Sequence, residues 1–131
     1  MTNEHIDLAI INRAKEDNVK LVQLQFTDIN GNIKAVTIPV ERFPESIEKG
    51  IWFDGSSIEG FTRICESDMY LKPDTSTYAL LPWETEEATA RLFCDVYMPD
   101  GSPFEGDPRY ILKRAIKNAR AMNFEYNVGP E

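Results

Sequence analysis

The stretch Val22-Gln23-Leu24-Gln25-Phe26-Thr27-Asp28-Ile29-Asn30-Gly31-Asn32-Ile33-Lys34-Ala35-Val36-Thr37-Ile38 carries the reading of the fold. Val22, Leu24 and Phe26 alternate with Gln23 and Gln25, the period of two that buries one face of a strand and wets the other. Asn30-Gly31 is the residue pair that a two-residue hairpin turn demands, because both of its positions need a positive φ. Ile33 to Ile38 returns as the second strand, and Pro39 ends it, since proline donates nothing to a ladder.

Working outward, Ile6, Ala9, Ile10, Arg13 and Ala14 fall at helical spacing, with Thr2 or Asn3 as caps and an end near Asp17-Asn18. Val40 to Lys49 reads as a short helix or helical turn stopped by Gly50. Met69 to Lys72, Tyr78 to Leu81 and Ala90 to Met98 read as strands punctuated by Pro73-Asp74, Pro82-Trp83 and Pro99-Asp100-Gly101. In the last of them Leu92, Cys94, Val96 and Met98 share one face. The order is helix, hairpin, then more strands, which predicts an α+β fold: a mixed sheet with a helix on one face.

Asp107-Pro108 supplies an N-cap with proline at the first helical position. Leu112, Ala115, Ile116, Ala119 and Met122 trace the apolar stripe of a helix ending near Asn123. Phe124 to Val128 looks like a strand beginning, followed by a Gly129-Pro130 turn. A strand without a partner leaves backbone groups unpaired. The expectation is therefore the leading part of a longer protein, divided into residues 1–103 and 104–131, with the linker between Asp100 and Asp107.

Composition narrows the function classes. The 131 residues are 42% hydrophobic and 27% charged, an ordinary globular balance. A net charge of -8 argues against nucleic acid as a partner, since phosphate binding needs clustered lysine and arginine. The two cysteines, Cys65 and Cys94, lie far apart without a CxxC partner, so neither a zinc site nor a disulfide framework is indicated. No apolar run reaches membrane-spanning length and the N-terminus lacks a signal-peptide pattern, which points to a reduced, cytoplasmic setting.

The chemistry-bearing run is Phe53-Asp54-Gly55-Ser56-Ser57, followed by Glu66-Ser67-Asp68 and Leu71. A carboxylate, a glycine and two hydroxyls this close can organise a polar site. The bland alternative is an Asx or Ser turn between two strands.

With its spacing, this run resembles the N-terminal signature of type I glutamine synthetases. Further matches are Gln25-Phe26-Thr27-Asp28 with Asn30-Gly31, Pro99-Asp100-Gly101, Phe104-Glu105-Gly106-Asp107-Pro108-Arg109, and Gly129-Pro130-Glu131. The resemblance implies a β-grasp-like N-terminal domain followed by the first helix and strand of a catalytic domain. It implies an ATP-dependent glutamate–ammonia ligase, with Mg or Mn clamping the phosphates, assembled as a ring oligomer with active sites between subunits.

Onto this chain it carries specific roles. Asp54 is the acidic loop residue that reaches a neighbouring subunit's site to bind ammonium and take its proton. Gly55, Ser56 and Ser57 shape that loop. Glu131 is the first glutamate of a Glu-x-Glu metal motif, and Arg63 resembles the arginine of glutamine feedback inhibition, against the plain alternative of a surface ion pair with Glu59 or Glu66. Glutamate, ammonium and ATP are the implied partners, with most of their contacts outside this chain, so the segment alone is expected to be inactive. Two other readings stand beside this one: a stand-alone, non-catalytic β-grasp interaction or assembly module, and a ligase for a different amine. Trp52 and Trp83 are expected to be core or interface anchors, and His5 to be exposed.

Overall fold

The computed structural model describes residues 2–58 and 68–130. Helix α1 (Thr2–Glu16) leads to the antiparallel hairpin β1 (Leu21–Thr27) and β2 (Ile33–Pro39), then to a 3-10 turn, Val40–Arg42, and helix α2 (Phe43–Lys49). Strands β3 (Ile51–Asp54), β4 (Asp68–Pro73), β5 (Ala79–Leu80) and β6 (Thr89–Tyr97) follow, and helix α3 (Pro108–Ala121) closes the series.

The sheet runs β2-β1-β6-β4-β3, with β5 also on β6. It is mixed: β1 lies parallel to β6, with Leu24 opposite Leu92, while β4 lies antiparallel to it, with Leu71 opposite Val96. The expected alternation holds. Val22, Leu24, Phe26, Leu92, Cys94 and Val96 are all buried on one face, with Met69, Leu71 and Ile51 continuing the layer. Ile10, Ile11 and Ala14 of α1 and Phe43 of α2 cover that face. Ala9 and Arg13, expected on the packed side, are exposed, and Ile11 takes their place. Asn18, with a φ of 55°, turns the chain out of α1, and His5 is exposed.

Two expectations need correction. The hairpin turn is longer than two residues: Asp28 and Asn32 close the ladder through Asp28 N to Asn32 O at 3.0 Å, leaving Ile29, Asn30 and Gly31 as the loop. Gly31 N donates to Asp28 O, and Gly31 alone takes a positive φ, 82°, which is a three-residue loop ending in a left-handed glycine. The cause is Asp28, whose buried carboxylate accepts the amides of Asn30 and Asn32 at 3.0 and 2.8 Å and so draws the chain round itself. Second, Phe124 to Val128 is not a strand: it joins no ladder among the described residues and lies exposed. Asn123, with a φ of 62°, ends α3, and Phe124 N bonds back to Ala119 O. Of the two places expected for the tryptophans the core is excluded, with Trp52 57% and Trp83 70% exposed. Helix α3 fully buries no residue: Leu112, Ala115 and Met122 of its apolar stripe are exposed, and Ile116 and Ala119 are half-buried.

What fastens α3 is polar. Asp107, fully buried, caps the helix by accepting Arg109 N with one oxygen and takes Val96 N of β6 with the other, at 3.1 and 3.0 Å. Burial pushes its pKa up, against the pull of those two amides. Phe104 is buried beside it, its own amide bonded to Val96 O, so residues 103–107 complete the edge of β6 that β1 leaves open. Arg109 then bridges Asp74 and Asp95, and Lys113 joins Asp95 at 2.8 Å.

Asp107→Ala removes the acceptor of a buried amide and the cap of α3 together, so denaturant unfolding of the chain should show a loss of about 2 kcal/mol. An unchanged midpoint would mean that the segment 103–109 is not fastened to β6 as described.

Candidate functional site

Strand β3 is the edge of the sheet, four residues long, and was not foreseen as a strand. Ile51 and Phe53 turn to the core, Phe53 meeting the ring of Phe26 at 5.0 Å. Alternation then places Trp52 and Asp54 on the opposite face. Asp54 is the last residue of β3 and the cap of the 3-10 turn Gly55–Ser57. Its Oδ1 accepts Ser56 N at 2.9 Å and Ser56 Oγ at 2.6 Å, and its carbonyl accepts Ser57 Oγ at 2.9 Å.

The turn expected as the bland alternative is therefore present, and it acts on the carboxylate. The Ser56 hydroxyl, and after it the Ser56 amide, hold Asp54 below the usual carboxylate pKa, with burial opposing weakly. At neutral pH the group is a fixed anion on an exposed rim. No described residue pairs with its Oδ2.

The same local pattern occurs twice more. Asp74 accepts Ser76 N and Oγ at 3.1 and 2.6 Å and caps the turn Thr75–Thr77, and Asp100 accepts Ser102 N and Oγ at 2.9 and 2.5 Å. Asp74 gives its second oxygen to Arg109. Asp54 differs from both by its neighbour, for the β3–β4 register sets it directly opposite Asp68. Two carboxylate residues therefore stand side by side at the sheet edge, with Cβ atoms roughly 5 Å apart.

Gly55 is buried beneath the turn, while Ser56 and Ser57 are exposed. Arg63, Cys65, Glu66, Ser67 and Glu131 lie outside the described residues. Among the described residues no three His, Cys, Asp or Glu side chains converge where a metal ion could be held. Cys94 is buried, and burial raises its thiol pKa strongly, which makes it a core residue and a poor nucleophile. No helix among the described residues is long and apolar enough to cross a membrane.

Residues 18–99 match the family model described as the glutamine synthetase β-grasp domain. The chain belongs to the glutamine synthetase β-grasp family. It is 55% identical over 123 residues to a glutamine synthetase of Methanosarcina mazei, covering 93% of this chain and 28% of that protein. It is 57% identical over 118 residues to one of Thermotoga maritima, covering 89% of this chain and 27% of the relative. The chain thus spans little more than a quarter of these relatives. Among solved structures, a Plasmodium falciparum glutamine synthetase superposes with a TM-score of 0.78 at 24% identity, over 88% of this chain and 23% of that one. A GmaS–ADP complex superposes with a TM-score of 0.77 at 25% identity, over 86% and 26%. The α+β, β-grasp expectation is confirmed.

Sequence reasoning found Asp54 and quoted Asp68 in the same run, but not that the two stand opposite each other across the ladder, and it missed Tyr70 against Trp52. The recurrence of Asp-x-Ser at 54, 74 and 100 was the available signal that the turn alone does not single out Asp54.

Ser56→Ala removes the stronger of the two bonds to Oδ1, so the Asp54 pKa should rise toward the ordinary value in a carboxyl-carbon NMR titration. A lowered pKa contributes stability that is present above the unfolded value and lost as pH falls through the folded one. The variant should therefore lose that small acid-side dependence. An unmoved Asp54 titration would contradict the hydrogen-bond account.

Proposed function

We propose that this chain works as the N-terminal part of an ATP-dependent glutamate–ammonia ligase, with residues 1–103 as the β-grasp unit and 104–131 leading into a catalytic domain. The observation that carries it is Asp54: a carboxylate kept ionised by Ser56, exposed, opposite a second carboxylate, with one oxygen facing no described partner. Relatives more than half identical to the chain bear the name glutamine synthetase.

In this reading the glutamate side-chain carboxylate attacks the terminal phosphoryl group of ATP, releasing ADP and forming γ-glutamyl phosphate. Ammonia then attacks the carbonyl carbon and phosphate leaves. Ammonium is no nucleophile until it loses a proton, and a carboxylate both attracts the cation and accepts that proton. The low pKa of Asp54 makes attraction its stronger part, because a weak base takes a proton reluctantly.

An exposed turn cannot exclude water, so Asp54 must complete a site on another surface, which a ring of subunits provides. Gly55, Ser56 and Ser57 hold the turn. Mg or Mn, when bound, neutralises charge on the transferred phosphoryl group. Such hard cations take six or more oxygen ligands, and Glu131 supplies an oxygen of that kind while most of the set lies outside this chain. Arg63 is proposed as a glutamine-sensing residue, and a cytoplasmic location belongs to the same reading. No observation favours the stand-alone module.

The test is ammonium-dependent phosphate release by the full-length protein. Asp54→Asn should raise the KM for ammonium or lower kcat by at least about 100-fold while leaving ATP binding intact, and Arg63→Ala should abolish inhibition by added glutamine. Full activity in Asp54→Asn would sink the catalytic assignment, and unchanged inhibition in Arg63→Ala would sink the regulatory one.

A further inference from the structure

The outer face of the sheet carries a row of three aromatic rings immediately beside the Asp54–Asp68 pair. Trp52, Tyr70 and Tyr97 are cross-strand partners on β3, β4 and β6. The rings of Trp52 and Tyr70 lie 5.2 Å apart and tilted by 47°, and those of Tyr70 and Tyr97 lie 5.4 Å apart and stacked at 16°. Because side chains alternate, Trp52 shares its face with Asp54, and Tyr70 shares its face with Asp68.

Tyr70 is the middle of this row and its tightest member. A Cβ on Gly50 would stand 2.8 Å from Tyr70 Cδ2 and 2.8 Å from Leu71 O, so the residue entering β3 must be glycine to let the chain lie down on the ring. On the far side, the Tyr70 hydroxyl reaches the turn at Gly101, 3.7 Å from where a Cβ would be.

Strand β3 needs that support. It has four residues and lies at the edge of the sheet, where its described ladder partner is β4 alone. The inner face holds it through Ile51 and Phe53, and the outer face through Trp52 on Tyr70. Without the outer contact only the β4 ladder and the inner anchors hold the strand, and the residue least held is the one at its end, Asp54.

We propose that Tyr70 is a positioning residue for ammonium binding: through Trp52 it fixes the short edge strand and so the place of the Asp54 carboxylate. The inference rests on the ligase reading above. It assigns no role to the Tyr70 hydroxyl, so the ring alone must suffice.

The experiment is steady-state kinetics of the full-length protein, with ammonium and glutamate varied separately, for Tyr70→Ala, Tyr70→Phe, Trp52→Ala and Asp54→Asn. Tyr70→Ala and Trp52→Ala should each raise the KM for ammonium on the order of 10-fold, since sub-ångström to ångström displacements of a positioned group carry penalties of that size or more. The KM for glutamate should stay within about twofold, and Tyr70→Phe should behave as the parent. Trp52 is 57% exposed, so its loss should be tolerated by the fold even if Tyr70→Ala is not. Amide hydrogen exchange at residues 51–54 should quicken in Trp52→Ala and not in Tyr70→Phe. If Asp54→Asn raises the ammonium KM while Trp52→Ala does not, the positioning role is wrong and the ligase reading stands. If both KM values rise together, the ring is merely structural and the proposal is overturned. If Asp54→Asn itself changes nothing, the site reading fails and this inference with it.

Discussion

Strand β6 has to satisfy backbone groups along both edges for nine residues, and the rest of the structure takes its place from how this is done. One edge is met by β1 in parallel as far as Phe93, then by the Asp107 carboxylate and Phe104 amide at Val96 and by Pro103 at Tyr97. The other is met by β5 and then β4. Burial of Leu92, Cys94 and Val96 fixes which face of β6 turns inward, and a slip of one residue would expose all three. The same register decides that Tyr70 stacks on Tyr97 and, one strand further out, that Asp54 stands opposite Asp68.

Position, not local shape, is what distinguishes Asp54. Three aspartates in this chain adopt the same bonded turn with a serine two residues on. At Asp74 the remaining oxygen is consumed by Arg109, and the turn becomes an anchor for α3. At Asp54 the turn caps a short edge strand, the anion faces outward, and a second carboxylate stands across the ladder. A turn motif that holds a helix in one place thus presents a charge in another. Strand β4 joins the two uses, beginning at Asp68 and delivering the chain to Asp74.

The parts of the fold that could be read from the sequence are those in which side-chain period and burial agree. The alternation in β1 and β6, the Gly50 stop and the Asp107-Pro108 entry to α3 all belong here. Strand β3 escaped because four residues are too few to display a period. The hairpin loop escaped because Asn30-Gly31 carries a strong local preference that the Asp28 carboxylate, accepting two amides further along, overrides. Of the site, Asp54 and its serines were found through the spaced signature. Asp68 stands in that signature, but its place opposite Asp54, like that of Tyr70 against Trp52, is set by strand register, which composition and local pattern do not encode.

The proposal that Asp54 completes a site on a neighbouring subunit requires that Asp54 and Glu131 of different chains can restore one site between them. Mixing tests this directly: full-length Asp54→Asn and Glu131→Gln proteins, each inactive alone, are dissociated, combined in equal amounts and reassembled. If the two residues meet across an interface, about a quarter of the sites in a randomly mixed ring hold both native groups, and a matching fraction of glutamine-forming activity returns. If activity stays at the level of the separate variants although mixed rings have formed, both residues act within one subunit, and the cross-subunit role of the Asp54 turn is wrong.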